Sequence, residues 1–160
     1  MKKALVKFFI IINILILLTA CQEPAVQIDF RHLPEISTQN YFVICPPNYC
    51  NTKPNEISPV FPFNKEHLNI HWQEFINKQP RIEIIAQDKE KMEFTYVQRS
   101  KYLRLPTIIN IQLLPIDEQH STLAMHSQSK YGWSDFGGNK SRCEMWMQEL
   151  IESIGKMHKH

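Results

Sequence analysis

The sequence predicts an α+β fold: a single antiparallel sheet of about four strands with two helices packed on one face, in two layers. Three observations carry this expectation. Apolar residues alternate with polar ones in four segments between residues 81 and 127, the period of a half-buried strand. Residues 64–77 and 139–156 instead repeat apolar side chains at helical spacing. Neither a helix stripe nor a sheet face can be buried alone, and stacking one layer on the other satisfies both.

Taken in order, residues 41–44 (Tyr-Phe-Val-Ile) form a candidate short strand. Residues 45–63 carry Pro46, Pro47, Pro54, Pro59 and Pro62 and read as an irregular surface loop. The helix over 64–77 opens on Asn64 as its cap, aligns Leu68, Trp72, Phe75 and Ile76, and stops before Pro80. Strand 81–87 sets Ile82 and Ile84 in alternation, and 88–91 is a polar turn. Strand 92–96 puts Met92, Phe94 and Tyr96 on one face. Strand 107–114 sets Ile109, Ile111 and Leu113 against Asn110 and Gln112. After a turn at 115–119, strand 121–127 points Leu123 and Met125 inward. The last helix, 139–156, aligns Cys143, Trp146, Met147, Leu150, Ile151 and Ile154. Asn139 is placed to cap it and Gly155 to end it.

With 160 residues, 43% hydrophobic and 21% charged, the chain has the material for one domain and is too apolar for a disordered one. It has only four glycines and no glycine-rich phosphate loop, which argues against a nucleotide enzyme.

The first residues read as an address. Lys2, Lys3 and Lys7 precede the apolar run 8–18, which is followed by Leu18-Thr19-Ala20-Cys21. A basic start, a short apolar run and small residues before a cleavage point make a secretory signal. A retained membrane span fits less well, because the run is shorter than about 20 residues and Asn13 interrupts it. The ending resembles the lipobox of bacterial lipoproteins. That resemblance implies cleavage after Ala20, a diacylglycerol thioether on Cys21 and a further acyl chain on the new amino terminus. Two or more chains anchor a protein stably where one does not. Gln22, rather than Asp, favours the outer membrane by the same resemblance. The domain plan is then a signal peptide over 1–20, a tether over 21–40 and a globular domain over 41–157.

Discarding Lys2, Lys3 and Lys7 leaves 15 Lys and Arg against 16 acids, a net charge of −1 in place of +2. No nucleic-acid partner is implied, and the expected partners are the membrane, through Cys21, and a protein or small molecule. With Cys21 lipidated, Cys45, Cys50 and Cys143 remain. An oxidising compartment permits a disulfide. Cys45 and Cys50 can close a small ring, or either can reach Cys143; the odd thiol stays free or pairs between chains. Cys143 falls on an apolar helix stripe, which suits a buried, inert thiol. There is no paired Cys-x-x-Cys for zinc, and His67 and His71 lack the intervening Glu of a zincin helix. No metal or cofactor is expected.

The connection between the last strand and the last helix holds Ser127, Ser129, Lys130, Gly132, Ser134, Asp135, Phe136, Gly137, Asn139 and Arg142. This order and spacing resembles the signature of the domain-of-unknown-function 1499 family: a serine pair, a basic residue, a glycine, then Ser-Asp-(Phe/Leu)-Gly-x-Asn-x-x-Arg. Upstream, Cys45-Pro46, the Asn48-Tyr49-Cys50 step, Trp72 and Pro80-Arg81 agree more loosely, so that the resemblance spans roughly residues 45–155. Lys130 departs from the usual arginine, and Thr107-Ile108 stands where relatives tend to carry an acidic pair. The resemblance implies a fold and no activity.

The residues themselves allow two uses. Asp135 can accept backbone N–H groups at the helix start and pair with Arg142, within a buried polar network. Alternatively, free N–H groups, Lys130 and Arg142 can form a small anion or polar-ligand pocket. A kinase reading of Asp135-Phe136-Gly137 fails for want of the other kinase motifs. A triad of Ser134, His126 and Asp135 requires neighbouring side chains to converge on one histidine. The expected function is therefore a non-enzymatic, lipid-anchored envelope protein that binds a ligand or partner. The alternatives are an envelope hydrolase using Ser134 and Asp135, or a purely structural protein.

Overall fold

The alternating segments pair into strands in a computed structural model that describes residues 27–35 and 39–157. The strands are β1 (Tyr41–Cys45), β2 (Glu56–Ile57), β3 (Ile82–Asp88), β4 (Glu93–Arg99), β5 (Pro106–Pro115) and β6 (Ser121–Ser129). The helices are α1 (Lys65–Ile76) and α2 (Gly138–Met157), preceded by a 3-10 turn, Phe30–His32. The fold is thus α+β with two helices, but its sheet is six-stranded and mixed, in the order β2-β1-β6-β5-β4-β3, where about four antiparallel strands were expected. The strand that sequence reading omitted is β2, which runs parallel to β1 through Ile44 opposite Glu56 and Cys45 opposite Ile57. Two residues inside a proline-rich loop have no period to detect. What holds them is Asn55, whose side chain accepts the Val43 N–H at 2.8 Å while its own N–H donates to the Val43 carbonyl at 2.9 Å.

Alternation divides the sheet into two faces. One carries Phe42 and Ile44, Phe94 and Tyr96, Ile109, Ile111 and Leu113, and Leu123 and Met125, in one cluster with Leu68, Trp72, Phe75 and Ile76 of α1 and Cys143, Trp146, Met147, Leu150 and Ile154 of α2. The Trp72 indole donates to the Tyr96 hydroxyl at 3.0 Å. Trp146 meets the rings of Trp72 at 6.2 Å and Phe75 at 5.8 Å, edge-on. The other face holds Val43, Cys45, Leu114 and Ala124. Phe30 and Leu33, from the stretch read as tether, are buried against them.

Local expectations were met and missed for identifiable reasons. Asn64 caps α1, accepting the His67 N–H at 3.0 Å. Ile84 lies opposite Tyr96 but is exposed, because β3 is the edge strand of the sheet; beyond it the register shifts between Ile84 and Ala86, and a bulge of this kind turns an edge strand away from further pairing. Ile151 is exposed as well. Helix α2 begins at Gly138, with Asn139 already inside it, and passes through Gly155 to Met157. A disulfide joins Cys45 to Cys50, and Cys143 is free and buried. Burial pushes the Cys143 thiol up to about 12, so it carries no thiolate at neutral pH.

Trp146 joins both helices to the sheet, so Trp146→Ala should lower the free energy of unfolding by about 4 kcal/mol, a typical cost for a buried tryptophan. Urea denaturation followed by far-UV circular dichroism measures it.

Candidate functional site

The inward face of the sheet turns polar at one end. Asn40 precedes Phe42 and Ile44 in phase, Gln98 follows Phe94 and Tyr96, Thr107 precedes Ile109, and Ser127 and Ser129 follow Met125. Pairing brings these positions side by side: Ser129 opposite Thr107, Thr107 opposite Gln98, and the Ser129 N–H on the Asn40 carbonyl. The first turns of α2 lie over this polar row.

Asn139, 1% exposed, is its centre. Its Oδ1 accepts from Ser127 Oγ at 2.7 Å and from Arg142 Nη1 at 3.0 Å. Its Nδ2 donates to the Asn40 carbonyl at 2.6 Å and to Ser129 Oγ at 3.2 Å. Arg142 also donates from Nε to Gln98 Oε1 at 2.6 Å and from Nη1 to Ser127 Oγ at 3.3 Å. Asn40 Nδ2 reaches the carbonyls of Ser129 (3.1 Å) and Gly132 (2.7 Å). Burial lowers the pKa of Arg142, against the opposing field of the Asp135 carboxylate; a guanidinium stays charged through such a shift.

Asp135 serves the helix start. Its Oδ2 accepts the Asn139 N–H and its Oδ1 accepts the Gly137 N–H at 3.2 Å, while its carbonyl accepts the Gly138 N–H. The cap is therefore Asp135, where Asn139 was expected; the side chain of Asn139 is turned inward to the row. Among the described residues, no ion pair within 4.0 Å joins Asp135 to Arg142. Ser134 Oγ accepts the Phe136 N–H at 3.2 Å. The left-handed φ of +93° at Gly132 and +82° at Gly137 explains both glycines. Lys130 is exposed, with its ammonium 5.9 Å from the centre of the Tyr131 ring.

The structure thus joins Ser127, Ser129, Asn139 and Arg142 in one network, and sets Lys130, Gly132, Ser134, Asp135 and Gly137 along the exposed connection above it. Two members escaped sequence reading. Asn40 lies 99 residues from its partner Asn139 and Gln98 lies 44 from Arg142. The available signal was phase: each is a polar residue where the alternation calls for an apolar one.

The triad considered from sequence is not assembled. His126 is in phase with Ala124 on the opposite face, opposite Val43 and Asn110, and stacks on Tyr41. Neither of its ring nitrogens has a partner, and burial holds its pKa down at about 4. His67 is exposed and His71 packs on the Phe63 ring at 5.0 Å. Among the described residues no group of three His, Cys, Asp or Glu could hold a metal ion.

A family model described as "Protein of unknown function (DUF1499)" matches residues 27–150. The chain belongs to this family. Comparison with curated proteins gave no match, and comparison with solved structures gave none either. In this DUF1499 chain the signature residues Ser127, Ser129, Asn139 and Arg142 are the polar network, whereas Ser134, Asp135 and Gly137 shape the entry to α2.

Asn139→Ala should cost about 3 kcal/mol, because it removes a partner from Ser127, Ser129, Arg142 and the Asn40 carbonyl at once. Asp135→Ala should cost about 1 kcal/mol, as the loss of a cap does. Chemical denaturation of both variants checks the ranking.

His126 gives a pH signature. It is neutral in the fold, with a pKa of about 4 where a solvated histidine has about 6.5. Between these values the unfolded chain takes up the proton and the folded one does not. Stability is therefore full near pH 7 and falls as the pH drops from 6.5 towards 4, by roughly 3 kcal/mol in total. His126→Phe should flatten this fall. Asp29, Asp88 and Asp117, whose pKa values are lowered by hydrogen bonds, add their own loss below about 4, so unfolding measured between pH 5 and pH 7 excludes them. Glu93, raised by burial, acts there in the opposite sense, and the difference between the protein and His126→Phe reads the histidine.

Proposed function

We propose that this chain is a non-enzymatic, lipid-anchored protein of the cell envelope, held on the periplasmic side of the outer membrane through Cys21, whose domain presents the β6–α2 connection to a partner. The observation that carries the reading is the order of the first residues: Lys2, Lys3 and Lys7, an apolar run, then Leu18-Thr19-Ala20-Cys21. These positions lie outside the described residues, so the support from the fold is indirect. The Cys45–Cys50 disulfide suits an oxidising compartment. Arg142, Asn139 and the serines beneath the connection use their hydrogen bonds on one another, which favours an architectural role for them over a catalytic one. In this reading the two helices cover one face of the sheet as a single layer, and the connection above the polar row is left as the presenting surface.

The test is the intact mass of the protein purified from its native membrane. The expected species starts at Cys21 and carries a diacylglyceryl group and an amide-linked acyl chain. An intact Met1, or an unmodified Cys21, would overturn the anchor, and Cys21→Ser should remove the lipid mass altogether.

A further inference from the structure

We infer that the end of the sheet bearing the β4–β5 and β6–α2 connections is a docking surface for an anionic phospholipid bilayer. The two connections project together: β5 starts opposite the end of β6, and the Lys130 N–H donates to the Pro106 carbonyl at 3.1 Å. Five large apolar side chains stand out from them, Tyr102 at 83% exposure, Leu103 at 77%, Tyr131 at 61%, Trp133 at 64% and Phe136 at 99%. Isolated exposed apolar residues are ordinary, but a group of this kind at one end of a small domain marks an interaction site.

Charge selects the occupant. Arg81, Lys101, Arg104 and Lys130 are exposed at this end, and Asp135, the one acid in the two connections, spends both carboxylate oxygens on the start of α2. The opposite end of the sheet has no such excess of base: in the β3–β4 turn Asp88 and Glu90 are matched by Lys89 and Lys91, and the β5–β6 turn carries Asp117 and Glu118. The ammonium groups of Lys101 and Lys130 sit 5.2 and 5.9 Å from the ring centres of Tyr102 and Tyr131. Aromatic rings beside lysines and arginines, with no spare carboxylate, match the headgroup layer of an anionic membrane. There Trp and Tyr bury their rings at the interface and basic side chains meet phosphate.

The surface is also held in shape. The Trp133 carbonyl accepts the Gln39 N–H at 3.0 Å, and Asn40 Nδ2 holds the Gly132 carbonyl. Phe136 keeps a left-handed φ of +54° while remaining exposed, an arrangement that costs conformational energy for a non-glycine residue. The inference deepens the envelope reading and rests on it only for the nearness of a bilayer. Five residues lie between Cys21 and Gln27, the first described residue, a reach of about 20 Å.

The chain supplies its own reporter. Of its three tryptophans, Trp72 and Trp146 are fully buried and Trp133 is exposed. The full-length protein is reconstituted in vesicles of brominated phosphatidylcholine, with or without brominated phosphatidylglycerol, and Trp133→Phe sets the baseline. Quenching of the Trp133 emission should be at least about threefold greater with phosphatidylglycerol. The triple variant Lys101→Glu, Arg104→Glu, Lys130→Glu should return it to the baseline with an unchanged circular dichroism spectrum. Absence of quenching on both vesicles would overturn the proposal and leave the surface to a protein partner. Equal quenching on both, retained in the triple variant, would overturn its electrostatic basis. The mass at Cys21 is read separately, so failure of the anchor and failure of this surface are distinguishable.

Discussion

A single buried amide ties the polar end of the sheet together. Asn139 collects Ser127 and Arg142 on its oxygen and gives its two N–H groups to Ser129 and to the backbone at Asn40. Asn40 leads into β1, the first strand among the described residues, while Ser127 and Ser129 belong to β6, the last of them. One side chain thus joins both ends of the strand sequence to α2. An apolar residue at this position would take one partner from each of Ser127, Ser129, Arg142 and the Asn40 carbonyl, and a buried polar group left unpaired costs about 1–3 kcal/mol. Buried polar networks are favourable only when complete. Arg142 meets this condition through Gln98, Ser127 and Asn139 without needing a carboxylate.

The same arrangement explains why α2 enters where it does. Asp135 closes the backbone groups that a helix start leaves open, and it does so one turn ahead of Asn139, which frees the Asn139 side chain to point inward. Beyond that turn the stripe becomes apolar, and Cys143, Trp146 and Leu150 meet Trp72 and the strands. The opposite face of the sheet is organised differently. Thr95 donates to Asn110 at 2.9 Å, and His126 lies buried beside Asn110 and Val43 as a neutral ring. That face carries an ionisable group at a position where charge cannot be solvated, so its contribution to stability falls on the acid side of neutrality, whereas the buried Tyr96 and Cys143 of the helical face matter only on the alkaline side.

Most of the scaffold was legible in the sequence. The four segments with period two are β3 to β6, and the two segments with helical spacing are α1 and α2, within one or two residues at most ends. These signals are local, which is why they survive translation into structure. What failed was non-local or too short. The β2 strand is two residues held by Asn55, and the edge position of β3 leaves Ile84 and Ile85 exposed, which the alternation alone does not reveal. At the site, sequence reading assembled Ser127, Ser129, Asn139 and Arg142 because they sit within 16 residues of one another. Asn40 and Gln98 reach the network only through strand pairing, so no spacing could reveal them. A polar residue in phase with an apolar face is the one trace such members leave, and it is visible at both positions.

The rigid network below and the exposed connection above are two parts of one device. Residues 130–137 carry Tyr131, Trp133 and Phe136 into solvent, a placement that would be unremarked in a loose loop. Here the segment is fixed at Gly132 by Asn40, at Trp133 by Gln39 and at its end by the Asp135 cap. A backbone fixed in this way has already lost the freedom that binding would otherwise take from the segment. The buried signature residues therefore act on whatever meets this end of the domain through the shape they impose, and their hydrogen bonds need never touch it.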